Sequence, residues 1–287
     1  SNAADLRTKG WELSATWHDK VGTNWNYGLT LALSDNTSKI TRYLNPTGAI
    51  DQYYVGKDIG EIWAYETVGI FQTEADVAAS ANQDQLGAAW KAGDMQYADL
   101  NKDDKITPGV RTLDDHGDLR IVGNTTPRYS FGINGDISYK GIGLNVFFQG
   151  VMKRDYLPDN GNWNAFYPYN DGHLEKYAIS ESWTETNRDA YFAAPTFGYN
   201  TKKNIHPQSR YVQNASYIRL KNLSVSYQFP VKLIQKVRLN GAQIYFAGMN
   251  LWEATKMHKP LDPESVFTVT QEYYLQRIFT LGVKLNF

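Results

Sequence analysis

The chain has 287 residues, a formal net charge of −1 and no cysteine, so disulfides, thiolate metal sites and a field that would gather nucleic acid are excluded. Aromatic residues make up 14% of it, with 20 Tyr, 12 Phe and 8 Trp, a load favoured where one end of a ring is dry and the other wet. No apolar run approaches the roughly 18 residues of a membrane helix, and mean hydropathy is −0.51. A membrane barrel stays open, because its strands alternate and average out to polar.

Ser1-Asn2-Ala3 reads as a scar of tag removal, so the natural chain is expected to begin upstream and residues 4–287 are taken for fold reasoning. Trp11, Leu13, Ala15 and Trp17 alternate with Glu12, Ser14, Thr16 and His18, and Trp25, Tyr27, Leu29, Leu31 and Leu33 alternate with Asn26, Gly28, Thr30 and Ala32. Period two places each set on its own face of a strand. Asp19 to Asn24 is a short turn between them. From about 35 to 127 the chain is a long segment rich in Asn, Asp, Gly, Pro and Tyr. A helix is predicted inside it over Thr73 to Gln85, with Thr73 as N-cap and acids in the first turn.

Alternation resumes at Tyr129, Phe131, Ile133, Gly135, Ile137 and Tyr139, opposite Ser130, Gly132, Asn134, Asp136 and Ser138. Lys140-Gly141 turns the chain, and Leu144, Val146, Phe148 and Met152 follow opposite Asn145 and Gln149. A second long segment runs from about 154 to 216, with a short helix predicted over Gly172 to Trp183. Then come Leu223, Val225, Tyr227 and Phe229, and a less clean strand in which Tyr245, Ala247, Met249 and Leu251 are read as one face while Ile244 and Phe246 fall on the other. The last strand is the clearest. Phe279, Leu281, Val283, Leu285 and Phe287 alternate with Thr280, Gly282, Lys284 and Asn286, aliphatic in the middle and aromatic at both ends. That is the profile of a strand crossing lipid, with rings at the two interfaces. A soluble β-sandwich also alternates, but its solvated face usually carries Lys and Glu rather than Gly, Ser, Asn and Thr. The fold class predicted is all-β: an antiparallel transmembrane barrel portion of about eight to ten strands, with long extracellular loops and one or two short helices. A partial barrel has two open edges, and closure on itself or pairing of edges between copies are both open alternatives at this point.

The order of short motifs resembles the SusC/RagA group of TonB-dependent outer-membrane receptors from Bacteroidota. The resemblance covers nearly the whole chain. It begins at Lys9-Gly10-Trp11-Glu12-Leu13 and continues through Gly69-Ile70-Phe71-Gln72 and Gly93-Asp94-Met95-Gln96-Tyr97-Ala98-Asp99-Leu100-Asn101. Ile121-Val122-Gly123-Asn124 with Pro127, Tyr129 and Gly132 follows, then Tyr139-Lys140-Gly141 leading to Phe148-Gln149-Gly150. Tyr217-Ile218-Arg219-Leu220-Lys221-Asn222-Leu223, Asn250-Leu251, Asp262-Pro263-Glu264 and the terminal Phe287 close it. The resemblance implies a place in the outer membrane of a Gram-negative bacterium, with a plug and energy-coupling box upstream of residue 1. It also implies import of glycans or peptides, a surface lipoprotein of the SusD kind as partner, the TonB system as a second partner through the plug, and Phe287 as the end of a membrane-insertion signal. On this reading the chain is not an enzyme, and alone it transports nothing.

Candidate chemistry is sparse. Asp99, Asn101 and Asp103 offer oxygens at alternate positions, the start of a calcium loop, with the Lys105 carbonyl next and Asp114, Asp115 or Asp118 as closing ligands through space. The loop departs from the pattern at Asp104, where Gly is wanted, and at Val110, where a bidentate Glu is wanted. The alternative is an Asx-rich loop that bonds its own backbone. His18, His116, His173, His206 and His258 are scattered without metal spacing. Glu181 with Glu185, or Asp262 with Glu264, would make a glycosidase pair only at a suitable separation, and Asp262-Pro263-Glu264 reads better as a rigid turn. For ligand contact the candidates are Trp163, Phe166, Tyr167, Tyr169 and Trp183, rings that stack on sugar faces, against the alternative of a loop packed by its own rings. Two other functions compete with the transport barrel: a secreted carbohydrate-binding β-sandwich and a glycoside hydrolase.

Overall fold

The structure is a computed structural model and describes residues 4–158, 166–167, 176–195, 203–259, 261–267 and 275–287. The expected tag scar at 1–3 lies outside the described residues. In chain order the strands are β1 (Ala4–Val21), β2 (Trp25–Tyr43), β3 (Glu61–Tyr65), β4 (Thr67–Ile70), β5 (Met95–Tyr97), β6 (Leu119–Asn124), β7 (Arg128–Tyr139) and β8 (Ile142–Lys153). They continue as β9 (Asp155–Tyr156), β10 (Gln213–Asn214), β11 (Tyr217–Gln228), β12 (Gly241–Thr255) and β13 (Ile278–Asn286). Seven of them make one antiparallel sheet in the order β1-β2-β7-β8-β11-β12-β13. The sheet is open, with β1 and β13 at its edges and no pairing between them among the described residues. Among the described residues it has seven strands, where about eight to ten were expected. The remaining strands are short pairs, β3 with β6, β4 with β5 and β9 with β10, and belong to the loops.

Register fixes the faces. Directly opposed residues share a face, and the ladder sets Trp17 against Leu29, Leu31 against Ile133 and Ile137 against Leu144. It continues with Leu144 against Val225, Val225 against Phe246 and Phe246 against Leu281. One face of the whole sheet is therefore apolar. Rings gather toward both ends of it. At the short-turn end Trp25 stacks on Tyr139 at 4.2 Å between centroids, and Tyr227 meets Phe229 edge to face at 5.1 Å. Toward the other end Phe131, Phe148 and Phe279 occupy the same face. From Phe131 to Tyr139 the strand covers roughly 26 Å at about 3.3 Å per residue. Tilted, that spans most of the ~25 Å apolar band of a membrane barrel.

The reading of β12 needs one correction. Ile244 pairs with Val283 and Phe246 with Leu281, so these two side chains lie on the apolar face, while Tyr245 and Met249 share the other face with Gly282 and Ile278. Alternation within β12 leaves open which of its two sets meets the apolar side, and the ladder partners decide it. Further up, between Asn222 and Leu220 of β11, the partners on β12 pass from Met249 to Trp252, and Asn250 takes φ of 53°. Parity changes there on β11, whose outward set passes from Leu223 and Val225 to Leu220, while Trp252 keeps the even parity of Ile244 and Phe246 on the apolar side.

Nothing in the described chain covers the apolar face. Phe279, Leu281, Val283 and Leu285 are 65, 74, 62 and 47% exposed. Leu13, Trp17, Leu29, Leu31, Ile137, Ile142 and Val225 are exposed as well. A contiguous patch of this extent does not persist on a protein surrounded by water. The opposite face is polar and knitted by small side chains: Thr16 to Thr30 at 3.2 Å, Asn26 to Ser138 at 3.1 Å and Asn145 to Asn134 at 3.2 Å.

The three connections at one end are short: Gly22 to Asn24, Lys140-Gly141, and a segment from Phe229 to Asn240 with a helical turn over Val231–Ile234. The three at the other end are long, and together they form a cap with its own core. Ile50, Tyr65, Met95, Tyr97, Ile106 and Leu119 come from the first loop, Tyr156, Phe166, Phe192 and Tyr211 from the second, and Met257, Leu261 and Val266 from the third. The loops anticipated at about 35–127 and 154–216 begin later in the first case, because β2 runs on to Tyr43. Thr73 caps the helix Glu74–Ala79 through a capping box with Asp76, and a second helix covers Lys176–Glu181, its expected start at Gly172 lying outside the described residues.

The exposed apolar face generates a paired expectation. Leu31→Arg, pointing outward at mid-strand, is expected to lower stability of the membrane-inserted receptor by ~2–4 kcal/mol, whereas Thr30→Arg beside it, pointing inward, costs near zero. Denaturant titration in lipid vesicles measures both. Equal losses at the two positions count against a lipid-facing side.

Candidate functional site

Two surfaces carry the functional possibilities: the polar inner face of the sheet and the cap over its long-loop end. On the inner face Gly28 sits opposite both His18 and Asp136. A Cβ at Gly28 would strike the imidazole and the carboxylate, so the glycine is the notch into which both side chains lean. Near the cap end of the same face Arg219 is buried and lies opposite Glu253. It pairs with Glu253, with Asp262 at 2.6 Å and with Glu264 at 3.0 Å, while Lys221 reaches Glu264 at 2.8 Å. Asp262 also accepts the amides of Glu264 and Ser265 at 2.9 and 3.1 Å, so Asp262-Pro263-Glu264 is the rigid turn expected and clamps the β12–β13 loop onto β11. As a glycosidase pair these carboxylates are taken, since both are partners of one guanidinium. Glu181 is likewise engaged, its carboxylate 2.6 Å from His258 Nε2.

The motif around Gly93 is a stitch between loops. Gly93 has φ of 93°, and a Cβ there would lie 2.7 Å from Ala194 and from the Trp183 ring. Only glycine allows both the backbone angle and the close approach. Next to it Asp94 is fully buried and meets Lys203 Nζ at 2.5 Å, with Asn204 donating at 2.9 Å and the Lys91 amide at 2.9 Å. Lys203 also donates to the Ala89 carbonyl at 2.9 Å and sits over the Trp90 ring, 5.3 Å from its centroid. Tyr97 donates to the Lys203 carbonyl at 2.8 Å, and burial pushes its phenol well above the usual value. First and second loops are thus locked by a buried charge pair whose remaining hydrogen-bonding positions are filled.

The proposed calcium ligands are not brought together as a shell. Asp99 accepts the amides of Lys102 at 2.6 Å and Asp104 at 2.9 Å, Asp103 accepts that of Lys105 at 2.9 Å, and Asn101 donates to Asp103 at 3.1 Å. Asp114 is exposed and joins no such cluster; among the described residues no group of three or more acidic or His side chains converges for a metal. The Asx-rich alternative describes this loop, and the correction has a simple cause: sequence spacing fixes which residues are near, not whether their oxygens turn inward or toward their own amides. Asp118, an afterthought in the sequence, is the buried staple, accepting Leu100 and Thr107 amides at 2.7 Å each.

The aromatic candidates divide. Trp163 and Tyr169 lie outside the described residues. Phe166, Tyr167 and Trp183 are 0, 6 and 8% exposed and so have no free face for a sugar. Phe166 packs edge-on against Tyr167, Phe192, Tyr211 and His258, and the Trp183 indole donates to Gln72 at 3.3 Å. They build the cap rather than line its surface. The sequence reading missed Asp94, Lys203 and Arg219 as organising groups; the signal available was a Gly-Asp pair and charged residues inside a strand, both of which demand buried partners.

Two consequences of the cap can be measured. Asp94→Ala strands Lys203 in an apolar setting and is expected to destabilise the cap by ~3–5 kcal/mol, while replacing both residues by well-packed apolar ones costs much less; limited proteolysis of the first loop reads the difference. His206 Nε2 donates to the Leu86 carbonyl at 2.6 Å, and burial holds its pKa below the ordinary 6.5. The unfolded chain therefore binds a proton more readily, so cap stability is full above pH 6.5 and falls as pH drops through the folded value. His206→Gln should flatten that acid limb in melting curves.

No family model matches the chain. Among curated proteins it is similar to TonB-dependent receptor P26 of Formosa agariphila, 26% identical over 313 residues, and to TonB-dependent receptor P3 of the same organism, 25% identical over 320. Both matches cover the whole chain but only 30 and 29% of the receptors' length. Among solved structures it resembles the RagAB peptide transporter with a TM-score of 0.70 at 19% identity, and the RagAB peptide importer in its open-open state with 0.68 at 22%. Those alignments cover 99% of the chain and 30 and 29% of the solved chains, and establish the fold. Along its full length the chain is similar in sequence to TonB-dependent receptors, and its fold is that of the matching stretch of the RagAB transporter.

Proposed function

We propose that this chain is part of the wall and the extracellular cap of an outer-membrane importer of glycans or peptides, working with a surface lipoprotein and with the TonB system through a plug carried elsewhere in the receptor. The observation that carries the reading is the sheet's division into an apolar outside, exposed along its middle, and a polar inside of Asn, Thr, Ser, His and Asp. Such a wall separates lipid from a hydrated passage. Glu12, His18, Asn26, Asn134 and Asp136 then face the passage, where donors and acceptors in alternation suit hydroxyls or peptide groups. The similar TonB-dependent receptors support energy coupling, and the likeness to the RagAB peptide importer supports peptides as one substrate class. The chain's role in this reading is conduction and gating rather than catalysis.

Uptake by cells tests it. A strain with the complete receptor should accumulate either labelled oligosaccharides or labelled oligopeptides, and lose that accumulation when the proton-motive force is collapsed. Unchanged uptake of both pools after deletion of the receptor would overturn the proposal. Phe287 is 88% exposed just beyond β13. As the end of an insertion signal, its removal should lower receptor in the outer membrane several-fold at constant transcript, measured by quantitative immunoblot of membrane fractions.

A further inference from the structure

The apolar face is not uniform. Near the short-turn end it hollows into a groove lined by Ile142, Val225, Tyr227, Ile244, Phe246 and Leu281. Its lining is almost wholly hydrocarbon and aromatic carbon, and the register already places these side chains on the outer face. Just past the groove the chain turns. Lys140 lies two residues before Ile142, and the segment Val231–Ile234 begins four residues after Tyr227.

That segment is cationic on its open side. Lys232, Lys236 and Arg238 are exposed, as is Lys140, while Val231 and Leu233 are exposed at 55 and 56%. Ile234 is buried and the Phe229 amide donates to the Ala242 carbonyl at 3.0 Å, so the segment is anchored on β12 rather than trailing free. From Tyr227 to Gln243 and from Ser138 to Gln149 there is not one carboxylate. The neighbouring turn holds Lys20 next to Asp19, whose charges cancel in sum. Four cations that join no ion pair among the described residues therefore crown an apolar groove, with apolar side chains between them that would sit at the boundary of hydrocarbon and headgroup.

We propose that this groove and its cationic rim bind an anionic glycerophospholipid of the periplasmic leaflet, one acyl chain lying along Val225, Phe246 and Leu281 and the phosphate meeting Lys140, Lys232, Lys236 and Arg238. The inference rests on the membrane reading above, since it needs an outer face that meets lipid. Charge complementarity selects the occupant: a zwitterionic headgroup would leave the rim's net positive charge unanswered, and a soluble anion would leave the groove unfilled. Bound there, the lipid pins the β11–β12 turn at the inner rim of the wall.

Native mass spectrometry of the complete receptor, transferred from mixed micelles of phosphatidylglycerol and phosphatidylcholine, tests the proposal. Wild type should retain phosphatidylglycerol at least about tenfold over phosphatidylcholine, and the triple variant K232Q/K236Q/R238Q should retain the two equally, since each cation near an anionic lipid adds roughly fivefold. Raising salt to about 0.5 M should erode the wild-type preference. Equal retention by wild type, or an undiminished preference in the triple variant, overturns the inference. Full competition by inorganic phosphate alone also overturns it, by making the groove irrelevant. A receptor that retains no lipid of either kind would instead sink the membrane reading on which it stands.

Discussion

Every backbone amide and carbonyl inside a bilayer must find a partner within the protein, because the hydrocarbon offers none. This chain meets that demand with a ladder of seven antiparallel strands, and the period of the strand then decides everything else about the wall. Once side chains alternate, one face takes the lipid and the other the water. Leu31 and Thr30 are neighbours in sequence and belong to different solvents. The irregularity at Lys221 of β11 shows how tightly this is held: the outward set changes there from odd to even positions, so that Leu220 lies opposite both Phe148 and Trp252 on the apolar side.

The sheet's inner side is largely polar or small, and the apolar residues that build a conventional core gather instead in the cap. Three loops that alternation alone would leave as solvent-exposed connections share one interior of Tyr, Phe, Ile and Met side chains. A loop of such length without internal packing would carry a large conformational entropy. The cap resolves this by folding as a small domain stitched through Asp94, Lys203, Asn204 and Asp118, and clamped to the wall through Arg219.

The two ends of the wall differ in kind. At the cap end charges are paired: Arg128 with Asp35 at 2.5 and 2.6 Å, Arg42 with Asp5, Arg111 with Asp51, Arg219 with its three acids. At the short-turn end the β7–β8 and β11–β12 turns hold cations without acids. An end that pairs its own charges presents a neutral surface to partners, while an end that leaves cations open is suited to an anionic one.

Period two in Phe279 to Phe287, in Tyr129 to Tyr139 and in Trp25 to Leu33 was enough to give the strands, their faces and the short turns, because alternation is a local property that the pleat turns directly into sides. The N-cap at Thr73 was legible for the same reason: the amide its side chain accepts is three residues on. What lay beyond reach were contacts between segments distant in sequence. That Phe166, Tyr167 and Trp183 pack inward, that Asp94 finds Lys203 more than a hundred residues away, and that Asp99 and Asp103 turn to their own amides depend on which loops share a core. Such choices are settled by packing and by the cost of burying an unpaired charge, and neither is written in the spacing of residues along the chain.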